Sequence, residues 1–292
     1  MANLKEVRLR IASVKSTQQI TKAMKMVSAA KFRRATDAIV QMRPYANKLK
    51  GMLANLSESV ADMDNVFTQD REVNNVLLVV VTSNRGLAGA FNNNVIKATN
   101  ALIAEKYAEQ HKKGNLYIVA VGKKAQDFYT RNNFQVIGNN NELFSKLNFA
   151  NASAIVEAIM EGFAGGKFDH VEMIYNQYKN AAVQILTHEQ LLPLPKAVAD
   201  AHGSKTDYLF EPTKEEIVEE LIPKSIRLQF YKAILDSHAA EHGARMTAMD
   251  KATDNAGELL RTLTLQYNQA RQAAITNEIL EIVSGANALA EA

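Results

Sequence analysis

The first sixty residues repeat apolar side chains at the spacing of an α-helix. Residues three and four positions apart lie on one helical face. The first stripe comprises Leu4, Val7, Ile11, Val14, Ile20, Met24 and Val27, and a second comprises Ala46, Leu49, Leu53, Leu56 and Val60. The gap between Val14 and Ile20 predicts that the first stripe drifts around the helix. Pro44 is expected to kink this helix or to end its first stretch, because proline removes a helical hydrogen bond.

The chain after Pro223 carries a longer pattern of the same kind. Its apolar and small residues alternate spacings of three and four, at Met246, Met249, Thr253, Ala256, Leu260, Leu263, Tyr267, Ala270 and Ala274. This heptad period is typical of a left-handed coiled coil. We expect a helix from Lys224 to Ser284, about 90 Å long, that Gly285 ends. Such a helix needs a partner, and the N-terminal helix is the candidate of comparable length, which predicts an antiparallel hairpin.

The middle of the chain alternates short apolar runs with helical patterns. We predict strands at Val76–Thr82, Leu116–Gly122, Phe134–Ile137, His170–Tyr178 and Ala181–Leu186, and helices at Phe91–Gln110, Lys123–Arg131 and Asn151–Phe163. Strands that alternate with helices favour a mostly parallel, Rossmann-like α/β sheet. Residues 1–65 are therefore predicted to form a long N-terminal helix, 74–211 a globular α/β domain, with a loop over Leu191–Thr206, and 212–292 a long C-terminal helix.

Composition narrows the class of protein. The 292 residues include no cysteine, which excludes disulfides and thiolate metal sites. No apolar run is long enough to span a bilayer, and the N-terminus lacks the apolar core of a signal peptide. Residues 1–50 hold twelve Lys or Arg against two acids, a net charge of +10, whereas the whole chain carries +3. A helix this basic is expected to face phosphate, anionic lipid or an acidic protein surface, or to be a solvated face.

The sequence motifs give little support to catalysis. Gly86-Leu87-Ala88-Gly89 lacks the spacing of a dinucleotide-binding turn, and Gly165-Gly166-Lys167 lacks the other residues of a phosphate-binding loop. We therefore expect no nucleotide and no other cofactor. The pattern His238-Ala239-Ala240-Glu241-His242 could place two imidazoles around zinc or be a solvated stretch of helix, and we expect no metal there. DNA binding by the basic helix is the alternative function, although its apolar stripe is already needed for helix pairing.

Both ends and parts of the middle resemble the gamma subunit of F-type ATP synthases. The segments that carry the resemblance are Ile11–Lys31, Arg43–Tyr45, Arg85–Gly89, Leu191–Pro195, Ala244–Met249 and Ala270–Ala286. The similarity covers essentially the whole chain and is most specific in the two terminal segments. Ala88 stands where the family often has cysteine, and Asn84 where it often has aspartate. Because the chain starts at Met1 without a transit peptide, it is similar to the bacterial members.

The resemblance implies a rotor. The paired helices would be the shaft inside a ring of alpha and beta subunits, and the globular domain would contact the epsilon subunit and the membrane ring of c subunits. Proton-driven rotation of the c ring would then change the conformation of the catalytic sites on the beta subunits. The chain itself would be non-catalytic, would bind no nucleic acid, and would lie peripherally at the cytoplasmic face of the bacterial cell membrane, with membrane contact only through the complex.

The resemblance also implies which residues meet the ring of alpha and beta subunits. The expected contacts are Met24, Lys25, Lys31 and Arg33 on the N-terminal helix and Arg271, Gln272, Thr276, Glu278 and Glu281 on the C-terminal helix. The small and apolar tip, Ile282–Ala290, would suit an apolar bearing at the top of the ring.

Overall fold

The computed structural model describes residues 4–55, 65–195 and 213–290. The chain divides into two compact units. The terminal unit contains Met1–Val27 and Met246–Ala292, and the central unit contains Ser28–Arg245. Helices α1 (Leu4–Asn55) and α6 (Lys214–Ala290) contribute residues to both units. Among the described residues, the helices contain no apolar stretch that could span a membrane.

The central unit is built on a five-stranded mixed sheet. Its strands are β1 (Val76–Val81), β2 (Leu116–Val121), β3 (Gln135–Val136), β4 (His170–Tyr178) and β5 (Gln184–Leu192). They lie in the order β3-β2-β1-β4-β5. All neighbouring pairs are parallel except β4 and β5, which are antiparallel. The prediction of a mostly parallel α/β sheet between two long helices is confirmed.

Shorter helices connect the strands. They are α2 (Phe91–Lys106), α3 (Ala108–Lys113), α4 (Lys123–Arg131) and α5 (Phe149–Ala164), with a 3₁₀ turn at Asn141–Ser145. The predicted helix over Phe91–Gln110 is thus two helices, because the chain breaks at the fully buried Tyr107. The last strand begins at Gln184 rather than Ala181, after the turn in which Asn180 accepts hydrogen bonds from Ala182 and Val183.

Strand β1 supplies both faces of the central core. Successive strand residues point to opposite faces, so Leu77, Val79 and Val81 lie in one cluster and Val76, Leu78 and Val80 in another. A strand buried on both faces reads as a continuous apolar run, which is why the sequence marks it so clearly. The first cluster includes side chains from α5 and from residues 222–234 of α6, and the second includes side chains from α2 and α4.

Within the central unit, α6 also packs against α1. Ala35 and Ile39 of α1 meet Leu235 and Ala239 of α6 in a small apolar cluster. Gly243 lies at a close approach, because a β-carbon there would sit 3.0 Å from the carbonyl oxygen of Ala181. The glycine that costs helix stability in isolation therefore permits tight packing here.

In the terminal unit, α1 and α6 run antiparallel. Gln18 and Thr21 of α1 both reach Thr253 of α6, and Lys25 pairs with Asp250, which is one turn earlier on α6. The α6 stripe is confirmed in part: Met249, Ala256 and Leu263 are buried, and burial ends after Ala270.

The α1 stripe differs from the prediction at two positions. Ile20 and Val27 are more than half exposed, because the stripe does not drift after Val14. It continues through the polar residues Gln18 and Thr21, whose hydrogen bonds to Thr253 take the place of apolar contact. Leu56 and Val60 of the second stripe lie outside the described residues.

Two predicted ends of the C-terminal helix are wrong, because α6 begins at Lys214, runs through Pro223 and continues past Gly285. Helix α1 continues through Pro44, so Pro44 does not end it, and the kink at Pro44 stays a prediction. Each proline frees the carbonyl four residues earlier, at Val40 and Glu219, and both of these residues are exposed, so water can hydrate the freed group. Glu216, Glu219 and Glu220 are exposed residues of α6, before Pro223. Much of the predicted loop over Leu191–Thr206 lies outside the described residues, and its first two residues end β5.

We predict that Gly122→Ala destabilises the central unit by about 2–4 kcal/mol. Gly122 has a φ of +108°, and a β-carbon there would lie 2.2 Å from the backbone oxygen of Thr82, so β1 and the start of α4 would have to separate. Urea unfolding followed by the near-UV circular dichroism of the buried tyrosines measures the change. Gly51→Ala is the matched control, since nothing lies within 4 Å of its β-carbon position in α1 and helix propensity should make it neutral or stabilising. Equal stability of the two variants would contradict the prediction.

Candidate partner-binding surface and helix docking site

Residues 271–287 of α6 are helical but are not covered by other parts of the described chain. Every residue from 271 to 287 is exposed. The exposed set includes the large apolar side chains of Ile275, Ile279, Leu280, Ile282 and Val283. A helix of this length that has both apolar and polar residues in water is marginal on its own. We call residues 271–287 the bare end of α6.

Five residues predicted from the sequence to contact partners lie on the bare end. Arg271 and Glu278 are seven positions apart and so share one face, while Gln272 and Thr276 are one turn apart and share another. The Thr276 hydroxyl donates to the carbonyl of Gln272 over 2.9 Å. Glu281 lies one turn beyond Glu278. The five side chains therefore point to more than one side of the helix.

The four predicted contacts on α1 have different environments. Met24 is half-buried, and the Lys25 ammonium lies 2.5 Å from Oδ1 of Asp250. Lys25 thus already has a partner within the terminal unit, although both side chains stay about half exposed. Lys31 and Arg33 belong to the central unit and are exposed.

A second feature is a buried arginine on α6 within the central unit. The Arg245 guanidinium donates through Nη2 to the carbonyls of Arg85 (3.0 Å) and Gly86 (3.3 Å), and through Nε to Gly86 (3.4 Å). Its Nη1 donates to Oε1 of Glu241 over 2.6 Å. Both side chains are about nine-tenths buried. The planar fork of arginine suits this use, because it can donate to several acceptors in one plane.

The contacts of Arg245 belong to a closed set. Nη1 of Arg245 lies 3.4 Å from Nδ1 of His242, Nε2 of His242 lies 3.1 Å from Nε2 of His238, and the His238 ring stacks on Phe144. Phe144 lies in the 3₁₀ turn, and Asn84 links that turn back to the Arg85–Gly86 segment by donating to the carbonyl of Asn141 over 2.6 Å. We call the side chains of Asn84, Phe144, His238, Glu241, His242 and Arg245 the docking ring.

Burial and nearby positive charge keep the two histidines neutral. Burial, with Lys31 and Arg245 nearby, lowers the pKa of His238 to about 4, and burial with His238, Arg245 and Lys31 lowers the pKa of His242 to about 3. Because Arg245 donates, Nδ1 of His242 must accept, so Nε2 of His242 carries the proton and donates to His238. Burial raises the pKa of Glu241, while Arg245 and Lys31 oppose that rise.

These positions correct one interpretation of the His-x-x-Glu-His pattern. The stretch is not solvated, since Glu241 and His242 are buried in the docking ring. Among the described residues, no three His, Cys, Asp or Glu side chains lie together in a way that could hold a metal ion. The pattern serves packing, with Arg245 as its charged centre.

At the edge of the sheet where α/β domains often bind phosphate, the hydrogen-bond donors already have partners within the chain. The first backbone N–H groups of α4 donate to Oδ1 of Asn84, the carbonyl of Ser83 and the hydroxyl of Thr82. A phosphate bound at a helix N-terminus needs those same donors. The Gly86–Gly89 turn, for its part, lies against Arg245 and the alanines of α6.

The sequence interpretation missed Arg245, Gln18 and Thr21 as structural residues. The 3–4 spacing does continue through Gln18 and Thr21, so polar residues in register with an apolar stripe were the available signal. Arg245 lies one turn after Glu241, a spacing that allows an ion pair on a helix but does not show that the pair is buried. Its acceptors, 160 positions away, could be identified only from the fold.

We predict that acidification destabilises the central unit through these histidines. Their pKa values near 6.5 in the unfolded chain fall to about 4 and 3 on folding, so below pH 6.5 the unfolded state binds more protons. The contribution of the two histidines to the free energy of unfolding is fully present above pH 6.5. It is lost as the pH falls towards 4, by up to about 1.4 kcal/mol per pH unit for each histidine. Burial raises the pKa of Asp236 to about 6, which acts in the opposite direction between pH 6 and 4.

Urea unfolding at pH 7 and pH 5 measures this effect. The variant His238→Gln/His242→Gln should lose less stability than the wild type between the two values, because neither glutamine titrates. His188→Gln, at an exposed histidine of β5, should keep the wild-type dependence. The prediction is wrong if the double variant and the wild type lose the same amount.

Comparisons with known proteins agree with this structure. The family model described as ATP synthase matches residues 3–289. The ATP synthase gamma chain of Cytophaga hutchinsonii is 55% identical over 293 residues, which are 99% of each chain. A chain in the central stalk and c-ring structure of the Tetrahymena thermophila mitochondrial ATP synthase is 27% identical, with a TM-score of 0.59, over 80% of this chain and 99% of that one.

A chain of the Euglena gracilis mitochondrial ATP synthase has the same fold, with a TM-score of 0.70 and 23% identity over 98% of this chain and 94% of that one. The fold, the matched family model and the high identity over almost the whole length agree. The chain belongs to the ATP synthase gamma chain family.

Proposed function

We propose that this chain is the central-stalk rotor subunit of an ATP synthase. It couples proton-driven rotation of the membrane c ring to conformational change at the catalytic sites of the beta subunits, in the direction of ATP synthesis or hydrolysis. Membership in the gamma chain family supports this role, as does the likeness to a chain from a central stalk and c-ring structure.

The observation that carries the proposal is the bare end of α6. Its exposed apolar side chains would be unfavourable in water, whereas a surrounding ring of subunits would bury them. A ring also explains why polar side chains point to more than one side of the same helix. A free helix on a monomeric protein has no use for either property.

The predicted division of the chain gives each part a task. Residues 1–65 and 212–292 would form the shaft, which turns inside alternating alpha and beta subunits, and 74–211 would be the globular domain that contacts the epsilon subunit and the c ring. The chain would be non-catalytic, since nucleotide chemistry would take place on beta. It would lie peripherally at the cytoplasmic face of the bacterial cell membrane, held there by the complex.

The contacts to alpha and beta would come from the nine residues expected from the sequence. Arg271, Gln272 and Thr276 would hydrogen-bond to beta, with Glu278 and Glu281 on the same helix. Lys31 and Arg33 are exposed and would offer positive charge to acidic surfaces of the ring. Met24 and Lys25 would present only their exposed parts, because Lys25 also pairs with Asp250.

Differential contact would drive the coupling. A rotating part can shift a beta subunit between conformations only if it binds one conformation better than another. The bare end has different chemistry on different sides: Arg271 and Glu278 carry charge, while Gln272 and Thr276 are neutral. Each orientation of α6 would therefore favour a different conformation in each beta subunit around it.

Removal of the bare end tests the rotor role. The chain that ends at Ala270 should still fold, because burial of α6 ends at that residue, but it should lose most coupled ATP synthesis. The measurement is ATP synthesis and ATP-driven proton pumping by assembled complexes in membrane vesicles, with the full-length chain and no chain as references. Full synthesis by the truncated chain would refute the role of the bare end. Failure of the full-length chain to join alpha and beta would refute the rotor role itself.

We also predict that Arg271→Ala lowers coupled ATP synthesis roughly tenfold, the effect of losing a charged hydrogen bond. The fold should not change, since Arg271 is exposed and the described chain shows no hydrogen bond or ion pair to its side chain. Arg261→Ala is the matched control, an exposed arginine ten positions earlier on α6. The assignment of Arg271 is wrong if the two variants synthesise ATP equally well.

A further inference from the structure

The surface of α6 that faces the Arg85–Gly89 turn carries small apolar side chains. The apolar cluster at this point joins Ala240 and Ala244 of α6 to Ala88 and Phe91. Small side chains allow close approach but give few ridges that interlock. Apolar contact is also non-directional. The packing alone therefore resists sliding of the turn along the helix only weakly.

Arg245 makes the directional contacts that the apolar packing lacks. Its three hydrogen bonds to two consecutive carbonyls fix both the distance and the angle between the turn and α6. The carbonyl of Arg85 also accepts from the hydroxyl of Ser83, whereas in the described contacts the carbonyl of Gly86 accepts only from Arg245. Gly86 is thus the point at which the turn depends most on this side chain.

The turn is held in a conformation that needs support. Leu87, immediately after Gly86, has a φ of +62°, in the left-handed region that non-glycine residues rarely adopt, and its side chain is 64% exposed. Such strain persists only where surrounding structure fixes the backbone. Arg245 fixes the two residues that precede Leu87, and the burial of Ala88 against α6 fixes the one that follows.

The rest of the docking ring holds Arg245 itself. Glu241 lies one turn earlier on α6 and orients the guanidinium through Nη1, while the neutral His242 accepts beside it. The connection through His238, Phe144, Asn141 and Asn84 returns to the residue next to Arg85, so the ring ties two loops of the central unit to the same side of α6. Movement of one member requires breaking several directional contacts together.

We propose that Arg245 is the positioning residue that fixes the globular part of the central unit in register on α6. Rotation of the globular part then turns α6 with it, because the contact between them does not deform. The inference rests on the rotor role proposed above and adds the residue that stiffens the connection. Arg245 acts through the backbone of the turn.

The test uses complete complexes in membrane vesicles with wild type, Arg245→Met, Arg245→Lys and Arg227→Met. Arg227 is the matched control. It also joins α6 to another element of the central unit, through an ion pair with Glu157 of α5, but it lies away from the docking ring. Two quantities are measured: amide hydrogen exchange of residues 83–91, and protons pumped per ATP hydrolysed. The second reports coupling, which a purely structural residue would not change in an assembled complex.

In Arg245→Met, exchange in the turn should rise at least about tenfold, because the carbonyl of Gly86 loses its donors and Glu241 loses its counter-charge. Protons pumped per ATP should fall at least about twofold, the size of effect seen for residues that carry coupling. Arg245→Lys should be intermediate, since an ammonium cannot donate in the guanidinium's fork. Arg227→Met should match the wild type in both measurements.

The proposal is overturned if Arg245→Met, or the lysine variant, matches the wild type in both exchange and coupling. The wild-type complex separates this inference from the rotor role. A wild-type chain that assembles without coupled pumping refutes the rotor role, while exchange in the turn still decides whether Arg245 holds it. A coupled wild type beside an equally coupled Arg245→Met refutes only the role given to Arg245.

Discussion

The structure depends on what the side chains of α6 pack against along its 77 residues. A helix of that length cannot be stabilised by its own hydrogen bonds alone, so each part must find its own cover. Residues 222–234 bury apolar side chains in the core of the sheet, and 246–270 pack against α1 in the terminal unit. From residue 271 to residue 287 the described chain leaves every residue exposed. This last property is the one that points most directly to an assembly around the helix.

Polar contacts occur where apolar packing is weakest. In the terminal unit, Gln18 and Thr21 meet Thr253 between apolar layers of the seam. In the central unit, Arg245 donates to the turn that packs on the small residues Ala240 and Ala244. Both arrangements fix register, which apolar contact does poorly, at some expense of stability. A subunit that must rotate as a rigid body depends on a defined register between its elements more than on a larger apolar core.

The sequence pattern located most of the elements, and its failures share a cause. Strand β1 and helix α4 appear where the spacing of apolar residues placed them, because burial on defined faces leaves a clear periodicity. The predicted helix start after Pro223 and helix end at Gly285 are wrong because propensity is only a local property, and α1 likewise does not end at Pro44. Water can hydrate the carbonyl that each proline frees, a glycine removes no hydrogen bond, and packing elsewhere keeps each helix continuous. Likewise, nothing local shows whether His242 faces water or the interior.

The sequence by itself determined the class of fold, the antiparallel pairing of the two ends and, through its terminal segments, the family. These follow from periodicity and from long motifs, which are local properties of the chain. The tertiary structure alone decided that the His-x-x-Glu-His stretch is buried, that Arg245 grips the carbonyls of Arg85 and Gly86, and that Lys25 already has Asp250 as a partner. Such contacts join residues as many as 225 positions apart. They arise only when the sheet and the helices bring those residues together, because a side chain's charge state and hydrogen-bond partners depend on its neighbours in space.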